Sequence, residues 1–181
     1  TLPAPEKNPA QAPALDLNPE QKDAIAAILT AKGFQTWLLF GVTGSGKTEI
    51  YLQVMRRVLE QSPQNQVLLL VPEINLTPQL EERVRSHFAD ESVVVLNSDL
   101  PDAHRARSWL AVHEGRARIL VGTRMAALAS FRQLALIVVD EEHDLSYKGG
   151  DGARYSARDL SVKRAQSLGI PVILGSATPS L

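Results

Sequence analysis

Short apolar runs recur along the chain, with enough sequence between them for a helix or a loop. Leu38–Phe40, Val67–Val71, Val93–Leu96, Ile119–Val121, Leu136–Val139 and Val172–Leu174 are mostly branched side chains with no strict polar alternation. Near-continuous apolar strands separated by helical segments predict a mainly parallel sheet covered on both faces, hence an α/β fold. Behind the first run, Glu49-Ile50-Tyr51-Leu52-Gln53-Val54-Met55 has helical spacing. Ahead of it, Asn18 suits an N-cap and Pro19 the first helical position. That pair predicts a helix through about Ala31 with Gly33 as its stop. Residues 1–16 are rich in Pro and Ala and show no periodicity. They read as a semi-extended linker, which predicts a longer parent protein.

The segment joining the first strand to the helix behind it carries the strongest chemical signal. Gly41-Val42-Thr43-Gly44-Ser45-Gly46-Lys47-Thr48 matches G-x-x-x-x-G-K-[ST] in full. A polyphosphate needs a curved row of backbone N–H donors, and side chains there would obstruct it. Gly41, Gly44 and Gly46 remove that obstruction. Lys47 supplies a point charge for the β- and γ-phosphates of ATP, and the Thr48 hydroxyl a ligand for Mg²⁺. A loop that opens a helix also gains the anion preference of the helix N-terminus.

The fifth strand ends in Asp140-Glu141-Glu142-His143. A carboxylate at the tip of an apolar strand is costly unless compensated, and a magnesium ion would compensate it. Asp140 is expected to hold Mg²⁺ through water opposite Thr48, and Glu141 to orient and deprotonate the attacking water. Together with Glu142 and His143 these residues form the second half of the expected nucleotide site. After the sixth strand comes Gly175-Ser176-Ala177-Thr178-Pro179-Ser180, where Ser176 and Thr178 offer hydroxyls that can link His143 to another part of the site. Strand ends at the carboxyl edge of an open parallel sheet are where ligands bind.

Composition narrows the setting. The chain has 181 residues, 44% of them hydrophobic and 22% charged, with a formal charge of −1 and no cysteine. This suits one domain with a proper core and excludes a disulfide framework or a thiolate metal site. No apolar run approaches a membrane span and the N-terminus lacks a signal-peptide layout, so a cytoplasmic protein with no membrane partner is expected. Arg105, Arg107, Arg116 and Arg118 read as a solvated face. Trp37 and Trp109 read as core residues.

In combination these motifs resemble the superfamily 2 helicases. Leu17-Asn18-Pro19-Glu20-Gln21 is similar to their upstream glutamine motif, which implies that Gln21 contacts the adenine edge. Leu70-Val71-Pro72-Glu73-Ile74-Asn75-Leu76-Thr77-Pro78-Gln79 is similar to their first DNA-contact motif, and Gly122-Thr123-Arg124 to the next. Asp140 through Lys148, followed by Arg154-Tyr155-Ser156-Ala157-Arg158-Asp159, resembles the bacterial replication-restart (PriA) helicases in particular. The resemblance implies a three-layer RecA-like P-loop NTPase domain over residues 17–181. That domain would be the first of two motors in a 3′-to-5′ DNA helicase that helps load the replicative helicase. It implies single-stranded and forked DNA, other primosome proteins and single-strand-binding protein as partners. The family's second motor, arginine finger and cysteine-rich zinc module are expected elsewhere in the parent protein, so zinc is expected only there. Asn97 stands where the family often has His, and Gly149 where it often has Gln. Other superfamily 2 translocases of repair or restriction remain as alternatives, as does a nucleotide-binding module that does not turn over in isolation.

One segment adds a coupling expectation. Tyr147, Lys148, Arg154, Tyr155 and Arg158 interleave aromatic and basic groups beside glycines. Bases stack on aromatics while cations track phosphates, so these residues suit single-stranded DNA. The resemblance implies that this loop reports DNA to the ATP site and that Thr123 and Arg124 contact DNA.

Overall fold

Strands form where the apolar runs lie: the third coincides with its run, the second is shifted back by one residue, and the other four extend theirs by one or two residues. The computed structural model describes residues 17–42, 44–149 and 155–177. In chain order the elements are α1 (Pro19–Thr30), β1 (Thr36–Phe40), α2 (Lys47–Gln61), β2 (Gln66–Leu70), α3 (Pro78–His87) and β3 (Val93–Leu96). They continue with α4 (Asp102–His113), β4 (Ile119–Gly122), β5 (Leu134–Val139), α5 (Ala157–Leu168) and β6 (Val172–Ser176). The strands make one six-stranded sheet in the order β1-β6-β5-β2-β4-β3, and every strand pairing in it is parallel.

Alternation along each strand divides the interior into two layers. Val67 and Leu69 of β2 join a core with Ile50, Tyr51, Val54 and Met55 of α2. Leu68 and Leu70 point to the other face, into a core with Val112 of α4 and Ala157 and Ala165 of α5. Trp37 packs on the first core and Trp109 on the second. Truncating a fully buried Leu in such a core costs about 2–5 kcal/mol.

Helix α1 starts as the sequence predicts. Asn18 and Gln21 form a reciprocal capping box, Pro19 takes the first turn, and Ala31 is the C-cap. Gly33, with φ 73°, lies beyond the cap. Arg118 departs from the expected solvated face. Its guanidinium donates to the carbonyls of Leu59, Ser62 and Asn65 and pairs with Glu91 at 3.2 Å. The end of α2 leaves carbonyls without intrahelical partners, and a planar five-donor group can satisfy several at once.

Candidate nucleotide site at the carboxyl edge

The sheet order brings the two sequence motifs together. β1 and β5 both flank β6, so the loop after β1 and the acidic tip of β5 end at the same level. Backbone bonds fix that level: Gly41 N–H donates to Ser176 O at 3.0 Å, and Glu142 N–H to Gly175 O at 2.8 Å. Gly41, Gly44, Ser45, Gly46, Lys47, Thr48, Asp140 and Glu141 thus surround one region, and all but Gly41 line a cavity of about 520 Å³.

In the phosphate loop, Gly44 and Gly46 have φ of 82° and 87°. Gly46 is the N-cap of α2, and a Cβ there would overlap the Gln21 side-chain amide. A Cβ on Gly41 would come within 2.6 Å of Ser45 Oγ. Lys47 Nζ donates to the carbonyl of Gly41, lies 3.3 Å from that of Val42, and stands 3.8 Å from Glu141 Oε1. Val42 itself is exposed. Thr48 is half-buried, one residue into α2. Gln21 does two jobs here. Its Oε1 accepts the Asn18 N–H in the capping box, while its Nε2 donates to Ser45 O at 3.3 Å.

The acidic tip is held from several sides. Asp140 Oδ1 accepts the hydroxyl of Tyr51 at 3.0 Å, and the Asp140 carbonyl accepts the hydroxyl of Tyr147 at 2.6 Å. Burial pushes the Asp140 carboxyl above the usual carboxylate range, with the Tyr51 hydrogen bond opposing. Both phenols are pushed up, first by burial and then by the charge of Asp140. Glu141 has φ 44°, the one positive value at a non-glycine position among the described residues. Strain of this kind persists only where the surroundings enforce it. Here the Ala177 N–H donates to Glu141 Oε2 at 3.3 Å, and Lys47 faces the other oxygen. His143 Nδ1 lies 3.0 Å from Ser176 Oγ, the link the sequence suggested for this hydroxyl.

Other sequence expectations need revision. Glu142 does not line the nucleotide cavity. It is buried and its carboxylate meets Arg158 of α5 at 2.8 Å, so the second glutamate ties the box to the start of α5. That hydrogen bond is the largest influence raising the already high pKa of Arg158. Tyr147 is 1% exposed and belongs to the second core, so no face of its ring is free to stack on a base. Thr123 is buried too and cannot present its side chain to DNA. Arg124 and Tyr155 do come together: the guanidinium lies 5.7 Å from the ring centroid, and the Tyr155 hydroxyl donates to Arg124 O at 3.3 Å. Lys148 is exposed and bridges Ser156 in antiparallel fashion. Thr43, Arg154 and Thr178 lie outside the described residues.

The cavity also contains residues the sequence did not single out. Glu49 of α2, buried and bonded to Gln53, pairs with Arg83 of α3 at 3.3 Å, and both line the cavity with Asn75. Their signal was absent from any local motif because Glu49 and Arg83 lie 34 residues apart. The oxygens of Thr48 and Asp140 are the hard donors magnesium takes. Among the described residues there is no cluster of three or more metal-ligating side chains. A donor set this small fits magnesium, which keeps several waters and binds through one or two protein oxygens plus phosphates.

The chain belongs to the DEAD/DEAH box helicase family, which it matches over residues 18–180. Within that family it is 50% identical over 167 residues to the replication restart protein PriA of Haemophilus influenzae, spanning 92% of this chain and 22% of that protein. It is 49% identical over 171 residues to PriA of Chlamydia trachomatis, spanning 91% of this chain and 22% of that one. The chain therefore corresponds to a minor part of the length of these relatives. The crystal structure of the DUF1998 helicase MrfA bound to DNA shares the fold, with a TM-score of 0.68 and 21% identity over 91% of this chain and 23% of that one. Among the described residues, no helix is long and apolar enough to cross a membrane.

Proposed function

We propose that this chain is the ATP-binding first motor domain of a 3′-to-5′ DNA helicase that restarts stalled replication forks and helps load the replicative helicase. The observation that carries the reading is the meeting of Lys47 and Glu141, 3.8 Å apart at one cavity, from motifs 94 residues apart. Similarity to the PriA proteins over nine-tenths of the chain supports the restart assignment over other translocases.

In this reading the backbone of Gly41 through Thr48 cradles the phosphates, and the Lys47 ammonium exchanges its carbonyl partners for phosphate oxygens. Thr48 and Asp140 hold Mg²⁺, which neutralises charge on the phosphates when bound. Glu141 accepts a proton from the attacking water. Gln21 reads the adenine edge, with its amide already fixed against Ser45. Arg124, Lys148, Arg154 and Tyr155 face single-stranded DNA. Tyr147 and the Glu142–Arg158 pair tie these DNA-facing residues to the acidic box. Forked DNA, primosome proteins and single-strand-binding protein are the partners of the parent protein, which also supplies the second motor and the zinc module.

The test is Lys47→Ala, followed by nucleotide affinity and thermal melting. The expected result is loss of productive ATP binding with melting unchanged, since the Lys47 ammonium contacts loop carbonyls and Glu141 rather than apolar core side chains. Unchanged affinity would overturn the reading.

A further inference from the structure

Tyr51 has no part in the sequence motifs, yet its hydroxyl ends at the centre of the site. It sits in α2 three residues after Thr48, so the two residues share one face at the start of the helix. Its ring is 1% exposed and packed in the first core. Phe would fill that volume at no desolvation cost to a hydroxyl, so the hydroxyl needs its own explanation. It donates to Asp140 Oδ1 at 3.0 Å. Room for it comes from β6: a Cβ on Gly175 would overlap the Tyr51 hydroxyl, lie 2.8 Å from its ring carbon and 3.3 Å from Asp140 Oδ1. Three elements are thus shaped around a single hydrogen bond.

We propose that Tyr51 is a positioning residue for the magnesium site: by holding Asp140 Oδ1 it leaves the other carboxylate oxygen for the water shell of the cation. It also makes α2 carry both protein contributions to that site, Thr48 directly and Asp140 through Tyr51. The cation and the phosphate loop then keep one fixed relation whatever the rest of β5 does. This inference rests on the assignment of Thr48 and Asp140 to Mg²⁺ made above.

The experiment is Tyr51→Phe in the full-length protein, read by binding of a fluorescent ATP analogue in EDTA and across a Mg²⁺ titration. Metal-free affinity should stay within about twofold of wild type. The Mg²⁺ concentration giving half-maximal enhancement should rise about 5–10-fold, within the scale of one intramolecular hydrogen bond. In an Asp140→Asn background the same substitution should produce no further shift, because its effect passes through that carboxylate. An unchanged Mg²⁺ midpoint would overturn the proposal, as would a shift that persists in full in the Asp140→Asn background. Wild-type nucleotide binding that ignores Mg²⁺ would instead overturn the underlying site assignment.

Discussion

Buried and half-buried polar side chains gather at both edges of the sheet, and the two groups behave differently. At the amino edge, Gln66 donates to the carbonyls of Val112 and Ala117 and accepts the N–H groups of Arg132 and Gln133. Asn65 donates to Val58 O and accepts from Gln133, while Arg118 spans the end of α2. These side chains bond chiefly to the backbone of neighbouring segments and close the loops between strands. At the carboxyl edge, Lys47, Glu141, His143 and Ser176 contact one another and loop termini beside a cavity, Asp140 is held by Tyr51 and Tyr147, and Glu141 carries a strained backbone. The same helix explains the polarity. The N-terminus of α2 meets the phosphate loop with its partial positive charge, and its C-terminus presents orphan carbonyls to Arg118. Saturated polar groups hold a fold together; polar groups that can exchange partners remain free to bind.

The largest effect that tests this contrast lies at the carboxyl edge. Glu141→Gln in the full-length enzyme should keep ATP bound but slow hydrolysis by about 10²–10⁴, because the amide preserves shape and cannot accept the proton. Melting should hardly move, and single-turnover hydrolysis alongside calorimetry checks both. Near-normal turnover would place the base elsewhere and break the comparison, with Glu142 the next group to test despite its bond to Arg158.

The amino edge predicts the opposite pattern. Arg118→Ala strips partners from three carbonyls and leaves Glu91 without its guanidinium. A loss of about 3 kcal/mol in stability is expected, since breaking a mostly buried pair strands its partners. ATP affinity measured below the melting transition should be unchanged. A loss of affinity without a loss of stability would show that the two edges are not separable in this way.

The smallest effect concerns the coupling segment. Tyr155→Ala should raise the single-stranded DNA concentration that half-stimulates ATPase by about fivefold, within the scale of one base stack, at matched salt. Basal ATPase should be preserved, because Tyr155 contacts Arg124 rather than the nucleotide cavity. An unchanged half-stimulation point would return Tyr155 to a purely structural role as a lid on Arg124.

The sequence alone determined the strands, the capping of α1, the phosphate loop and the acidic tip, because each is a local pattern. Apolar runs mark strands by their spacing, Asn18 and Pro19 mark a helix start, and glycine at fixed offsets marks a backbone that must approach an anion. Tertiary structure decided what depends on which strands become neighbours. Placing β6 between β1 and β5 set Lys47 against Glu141 and Tyr51 against Asp140 across Gly175. Packing around the acidic tip turned Tyr147 inward to the carbonyl of Asp140 and sent Glu142 to Arg158. At the other end of the sheet, the approach of β4 to the end of α2 made Arg118 a clamp rather than a surface charge. No local pattern in the chain distinguishes an exposed tyrosine or arginine from a buried one. Only the packing decides whether its polar end finds a partner inside, and that partner fixes its role.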